Sequence, residues 1–355
     1  MPKTLRRPSV SLSHLIVPLL ALLVIVIFNV IHDPSFFSVS LVVNNSGNTV
    51  LSGNLVSILN GASELAILAM GMTIVTAASG GQDISVGAGA AIAGSVFVKV
   101  IKSGDSSLGL ILFAFLACCL AIMLFGAFNG ALVAIFKIQP MIATLILFTA
   151  GRSIAYWVNG GATPTVSGDL LGYLGGFFPG MPVPTPVFIV IATGALFALA
   201  LKFTNLRLYV QAVGINATSS RLNGINTTWI KLLSFIILAA CVAIAGVIRV
   251  CRLGLINHET ILLDIEMDAI LAVAIGGNAL SGGKFSLAGS VIGAYVIQAL
   301  TTTLYALKVP SNAVKSYKAI VIIALVAVGS PVIKKLLVKA RDSFLLKRKA
   351  AGGAS

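Results

Sequence analysis

The sequence predicts an all-α polytopic membrane protein, and three observations carry that reading. Of 355 residues, 58% are hydrophobic and only 10% are charged, whereas soluble domains carry about 25% charged residues. Mean hydropathy is +1.05. The apolar residues fall in long uninterrupted blocks. They lack the alternation that a membrane β-barrel shows in segments of about ten residues. A soluble enzyme, a disordered chain and a secreted disulfide scaffold are thereby excluded.

The elements follow in order. Lys3, Arg6 and Arg7 precede an apolar run from Leu15 to Ile31. The run exceeds a signal-peptide core of about 7–15 residues, and no small-residue cleavage site follows it. It reads as an uncleaved first span, with residues 1–13 on the cytoplasmic side. The candidate spans are 14–31, 54–78, 88–101, 108–136, 140–158, 187–203, 231–250, 267–280, 286–306 and 315–333. The segments 88–101 and 267–280 are short against the roughly 20 residues that a crossing needs. Each adjoins a Gly-rich stretch, so the sequence predicts about ten transmembrane helices with broken or re-entrant segments near 79–87 and 276–289. The whole chain, 1–355, reads as one transmembrane domain with a polar cytoplasmic loop at 204–230 and a basic cytoplasmic tail at 334–355.

The net charge is +14. Its placement between apolar blocks and at the ends points to membrane orientation, not to nucleic acid. Roughly 16 Lys and Arg fall on the predicted inner side against roughly seven outside, the bias expected of a membrane protein. Arg152 lies well within the 140–158 span and is expected near the outer end of its helix, snorkelling. The four cysteines, Cys118, Cys119, Cys241 and Cys251, form no C-x-x-C pair. They read as small apolar side chains, not as a metal site.

Catalytic motifs are missing. The three histidines form no H-E-x-x-H, and no G-x-S-x-G elbow is present. Residues Gly276 to Phe285 approach a phosphate-binding loop. However, Asn278 replaces its first Gly and Phe285 its magnesium-holding hydroxyl, so no ATP, magnesium or other cofactor is expected on this chain. An internal echo links Ser79-Gly80-Gly81 to Ser281-Gly282-Gly283. In each, a further Gly follows eight residues after the Ser, and a small-residue helix comes next. Such repeats and broken helices recur at transporter sites.

Candidate site residues come from the polar groups at membrane depth. Glu64 sits mid-span and Asp83 follows Gly80-Gly81. A lipid-facing carboxylate costs roughly 2.5–3.5 kcal/mol on insertion scales, so both should face protein or water. Asp83 reads either as an N-cap or hinge of the next helix or as a substrate-path residue; Glu64 stands equally open. Ser85, Asn129, Thr144 and Asn278 offer uncharged hydrogen-bonding groups suited to sugar hydroxyls or to neighbouring helices. In the 204–230 loop, Gly214, Ile215, Asn216, Ala217, Ser220, Arg221 and Gly224 span a short capped helix. Asn216 is its expected N-cap, and Asn223-Gly224 its left-handed end. Two turns need a partner surface to persist.

Taken together, these segments resemble the permease subunits of bacterial sugar ABC importers, of the ribose, xylose and galactofuranose type. The family's Gly-Met-Thr and Gly-Gly-Ile-Asp-Leu-Ser-Val-Gly stand here as Gly71-Met72-Thr73 and Gly80-Gly81-Gln82-Asp83-Ile84-Ser85-Val86-Gly87. Asn129-Gly130 through Gln139-Pro140-Met141-Ile142-Ala143-Thr144-Leu145 resembles its next block. Ala212 to Asn216 with Asn223 to Asn226 resembles its coupling loop, and Glu266 to Ile270 with Gly276 to Gly283 its late motif. The order holds over about residues 55–330, and the late segments are most similar to galactofuranose-type permeases. Gln82, and Lys284-Phe285, depart from the pattern and bear on the substrate more than on the class.

The resemblance implies a permease in the bacterial inner membrane with both termini cytoplasmic. It implies a second permease, identical or paralogous, a periplasmic sugar-binding protein, and a cytoplasmic ATPase that binds ATP and Mg and docks on the 214–224 helix. Membrane lipid is the remaining partner, and no nucleic acid is implied. An ion-coupled secondary transporter, motivated by Glu64 and Asp83, is the alternative.

Overall fold

The computed structural model describes residues 15–43, 47–101 and 107–329. The basic N-terminal residues and the 334–355 tail therefore lie outside the described residues. Described helices follow the predicted spans closely. The first is α1 (Ile16–His32), joined to the next by a short antiparallel hairpin of β1 (Ser40–Val43) and β2 (Thr49–Ser52) that pairs Leu41 with Leu51. The apolar blocks do not announce this hairpin, which lies between two spans. Next come α2 (Asn54–Gly61) and α3 (Ser63–Ser79), then α4 (Val86–Val100), α5 (Leu108–Ala134), α6 (Pro140–Val158) and a short α7 (Asp169–Gly175). The chain continues through α8 (Thr185–Phe203), α9 (Leu206–Ile215), α10 (Ala217–Leu222), α11 (Thr227–Leu253) and α12 (Ile265–Ile275), and then α13 (Leu287–Ala306) and α14 (Ser311–Gly329).

Six spans among the described residues are long and apolar enough to cross a membrane: 54–79, 108–134, 140–158, 185–203, 227–253 and 287–306. The short ones are α4, with 15 residues, and α12, with 11. At about 1.5 Å per residue they reach about 22 and 16 Å, less than a hydrocarbon core of about 30 Å. Both adjoin the two predicted glycine breaks. The chain divides into a compact unit of Met1–Thr302 and a second of Thr303–Ser355, the latter carrying the apolar helix α14.

Local chemistry explains the helix ends. Pro140 opens α6 and Pro186 stands in the first turn of α8, where a missing N–H costs nothing. Asn226 accepts from the Trp229 N–H at the start of α11. Gly80 (φ 68°) ends α3 and Gly254 (φ 66°) ends α11, each in the left-handed conformation that glycine adopts without strain.

Packing sorts the helices into centre and rim. In α3 every residue from Ser63 to Ala78 is buried. In α5 the buried set is Ile111, Ala114, Cys118, Ile122, Gly126, Asn129, Gly130 and Val133, a stripe at helical spacing. Its other face presents Leu112, Phe113, Leu116, Leu120 and Leu124, each more than half exposed, as lipid requires. Helix α11 packs against both α3 and α5. Gly126 makes this possible: a side chain there would meet the Ala239 Cβ at 2.6 Å and the Phe235 carbonyl at 2.9 Å.

Candidate functional site

Four of the predicted site residues converge where α4, α5 and α6 meet. Asp83 is not itself the N-cap of α4; Ser85 holds that position. The Asp83 Oδ1 instead accepts from the Ser85 N–H at 2.7 Å and from the Ser85 hydroxyl at 2.6 Å, an Asx-type turn two residues long. The Ser85 hydroxyl in turn accepts from Asn129 Nδ2 of α5 at 3.2 Å. Thr144 of α6 accepts the Ile84 N–H at 3.2 Å and donates to the Pro140 carbonyl at 3.0 Å. All four side chains are buried, and the Asn129 Oδ1 has no partner among the described residues.

A cavity of about 10 Å³ opens beside this cluster, lined by Asp83, Ser85, Asn129, Leu238 and Val242 among others. That is room for about one water, far below the roughly 300 Å³ at which small-molecule pockets begin. The helices are closed around the polar cluster in this conformation.

Asn278 does not join that cluster; it organises the second glycine break. Its Nδ2 donates to the Val273 and Ser286 carbonyls at 3.2 Å each and to the Ser290 hydroxyl at 2.8 Å, and its Oδ1 accepts the Ser286 N–H at 2.6 Å. Ser290 then meets the Thr73 hydroxyl of α3 at 2.6 Å. Asn278 thus fixes the turn from α12 into α13 and ties it to the central helix.

The two glycine breaks pack on each other. Gln82 Nε2 donates to the Leu280 carbonyl at 2.8 Å, and the Gly283 N–H donates to the Ala77 carbonyl at 3.1 Å. A side chain at Gly282 would lie 3.0 Å from the Gly80 Cα. Gln82, a family departure in the sequence, is therefore a brace between the breaks.

The polar loop also differs in detail from expectation. Two helices stand there, not one over 214–224. Gly214 and Ile215 close α9, Asn216 breaks the chain, and α10 begins at Ala217. Asn216 does accept the Ser219 N–H, at 2.9 Å. Asn223 keeps right-handed backbone (φ −87°), and only Gly224 (φ 81°) is left-handed. Gly214 seats the end of α9 against the glycine breaks: a Cβ there would fall on the Ala77 carbonyl and within 2.7 Å of the Gly283 N. The α9–α10 elbow thus sits on the junction of both breaks. Ser220 is buried, while Ile215 and Leu222 are 74% and 85% exposed.

Glu64 occupies the opposite end of α3, about 24 Å from Gly80 by helical rise. Its Oε1 lies 3.1 Å from Arg249 Nε and 3.2 Å from Arg252 Nη1, with its side chain fully buried. Arg252 also donates to the Asn60 carbonyl and side chain. The carboxylate clamps the α2–α3 break to the end of α11.

Arg152 does not snorkel; its Nη1 donates to the His258, Glu259 and Ile261 carbonyls at 2.8–3.2 Å. The buried Glu266 carboxylate packs on Gly87 beside the same guanidinium. The sequence signal for this junction was the presence of one Arg inside a span; its partners lie more than 100 residues away.

The family described as branched-chain amino acid transport system / permease component matches residues 54–328. A galactofuranose transporter permease of Escherichia coli K12 is 38% identical, over 91% of this chain and 92% of its own length. A fructose import permease of Bifidobacterium longum is 34% identical over 97% and 95%. A ribose import permease of E. coli K12 is 34% identical over 88% and 92%. No solved structure matches. The chain is a multi-pass membrane protein and belongs to this family of transport-system permeases, among relatives that are sugar-import permeases.

Proposed function

We propose that the chain is the transmembrane subunit of an ATP-driven importer that carries a monosaccharide, a pentose or hexose, with galactofuranose the first to test. The carrying observation is near full-length similarity to permeases named for galactofuranose, fructose and ribose. The geometry supports it. The α9–α10 elbow exposes Ile215 and Leu222 and rests directly on both glycine breaks. A separate cytoplasmic ATPase docking there would push on the loops that border the Asp83 cluster, biasing the bundle between two packings. A periplasmic binding protein would deliver the sugar to the other end. A second permease would complete the pathway in the inner membrane, with both termini cytoplasmic. Asp83, Ser85, Asn129 and Thr144 would line the path once the bundle opens, and Asn278 would border it. Glu64, held by two arginines, is poorly placed to carry a coupling ion.

The test is capture of the tagged chain from its native membrane, followed by uptake in proteoliposomes. The expected result is co-purification with an ATPase and ATP-dependent uptake of a monosaccharide supplied with its binding protein. Uptake by the chain alone under an ion gradient would overturn the proposal.

A further inference from the structure

A second, larger concavity lies at the elbow end of the bundle. Its volume is about 450 Å³, and it is walled by the α5–α6 turn, α10 and the first residues of α11. Three cationic side chains line it: Lys137 from the turn, Arg221 from α10 and Lys231 from α11. The hydroxyls of Thr218, Thr227 and Thr228 stand among them, and no acidic residue does. None of the three cations forms a salt bridge with a described residue; Arg221 makes a long contact of 3.4 Å to the Thr227 hydroxyl. Lys137 holds φ at 58°, in a region costly for a side-chain-bearing residue.

Orientation of a membrane protein requires basic residues on one side, but it does not require them to meet. Here the α5–α6 turn and the α10–α11 segment, more than 80 residues apart in sequence, bring three positive charges to one recess with no acidic residue among its lining. Like charges so placed repel, and an anion bound among them would relieve that repulsion. Lysine and arginine donors with short hydroxyls suit tetrahedral phosphate oxygens. The volume lies within the roughly 300–1,000 Å³ of small-molecule sites, ample for a phosphate with an organic group attached.

We propose that this recess binds a phosphate-bearing anion, either a soluble sugar phosphate or the headgroup of an anionic lipid. Bound there, the anion ties α10 to α5 and α11 and holds the elbow in one position. The consequence for transport rests on the function proposed above; the binding itself does not. It requires only this chain.

The test uses the purified full-length chain in phosphatidylcholine nanodiscs. Glucose 6-phosphate is titrated calorimetrically, with glucose as the uncharged control. In parallel, the thermal midpoint is compared between nanodiscs with and without phosphatidic acid. Binding of glucose 6-phosphate identifies the soluble source, and a rise in midpoint with phosphatidic acid the lipid one. Either supports the site if K137Q and K231Q each weaken the effect by about tenfold, the worth of one charge-assisted hydrogen bond, and K202Q, outside the recess, does not. Raised salt should weaken it as well. Two results overturn the proposal: no response to either probe, or a response that K137Q and K231Q leave unchanged. Because the experiment contains no ATPase and measures binding rather than uptake, its failure is distinct from failure of the importer reading.

Discussion

Gly214→Ala tests whether the elbow is seated on the glycine breaks. The added methyl would fall on the Ala77 carbonyl, whereas real Cβ contacts are essentially never shorter than 3.0 Å. Helix α9 must retreat, or Ala77 and Gly283 must part. Overpacking of this kind costs about 1–3 kcal/mol. Breaking the 3.1 Å Gly283 N–H to Ala77 bond adds about 1–3 kcal/mol if the groups stay buried and unpaired. Alanine returns up to about 1 kcal/mol of helix propensity in α9. The net is about 3 kcal/mol against the seated elbow, a shift of about 150-fold in its population.

Gly224→Ala is the matched control. Gly224 has φ 81° and nothing within 4 Å of a built Cβ. Alanine there costs only the left-handed backbone penalty of about 1–2 kcal/mol, and no contact is lost. Hydrogen exchange over residues 206–222 and 281–283 should accelerate strongly in Gly214→Ala and remain near normal at 281–283 in Gly224→Ala. Uptake per ATP hydrolysed should fall at least tenfold in the first variant. If Gly214→Ala exchanges and transports no differently from Gly224→Ala, the elbow does not bear on the breaks and the reasoning is wrong.

Three further substitutions separate structural from transport roles. Glu64→Gln leaves Arg249 and Arg252 facing each other without the buried carboxylate; stability should drop by about 3 kcal/mol, read as a lower thermal midpoint, and an unchanged midpoint would show the clamp to be idle. Asp83→Asn retains an oxygen able to accept both Ser85 bonds, so protein levels should hold while sugar uptake falls; normal uptake would reduce Asp83 to a turn-former. Asn278→Ala removes four hydrogen bonds and strands the Ser286 N–H; at about 1–3 kcal/mol for the stranded group, the chain should unfold several degrees lower, whereas Ser290→Ala, which spares the Ser286 bond, should cost less.

What was legible in the sequence follows the reach of each interaction. Span order, the two breaks and the Asn216 cap depend on residues within a turn or two of each other, and they stand where local pattern places them. Asp83 with Ser85 was half legible. Position before a helix suggests a cap or hinge at Asp83, but the structure makes it a turn onto Ser85, and the closing partners, Asn129 and Thr144, come from other helices. What local pattern does not show is α9, the helix that runs up to the Asn216 cap, and the seating of Gly214 on the carbonyl of Ala77, more than 130 residues away. Glu64 was mid-span by position alone; that position became the buried end of a clamp only once α11 brought two arginines to it.

The same distinction explains how the charges are used. Counting Lys and Arg by side orients a chain but treats each charge as independent. In the folded bundle they are spent in three different ways. Arg249 and Arg252 neutralise one buried carboxylate. Arg152 caps backbone carbonyls that have no helix to receive them. Lys137, Arg221 and Lys231 gather around an acid-free recess. The first two arrangements close on themselves within the chain. The third lacks a counter-charge among the described residues, and it touches the helix that must move if an ATPase drives this bundle. A recess that stays positive on the moving part is where a small anion has the most leverage over the seated and unseated elbow, because its binding differs between them by every contact that α10 contributes.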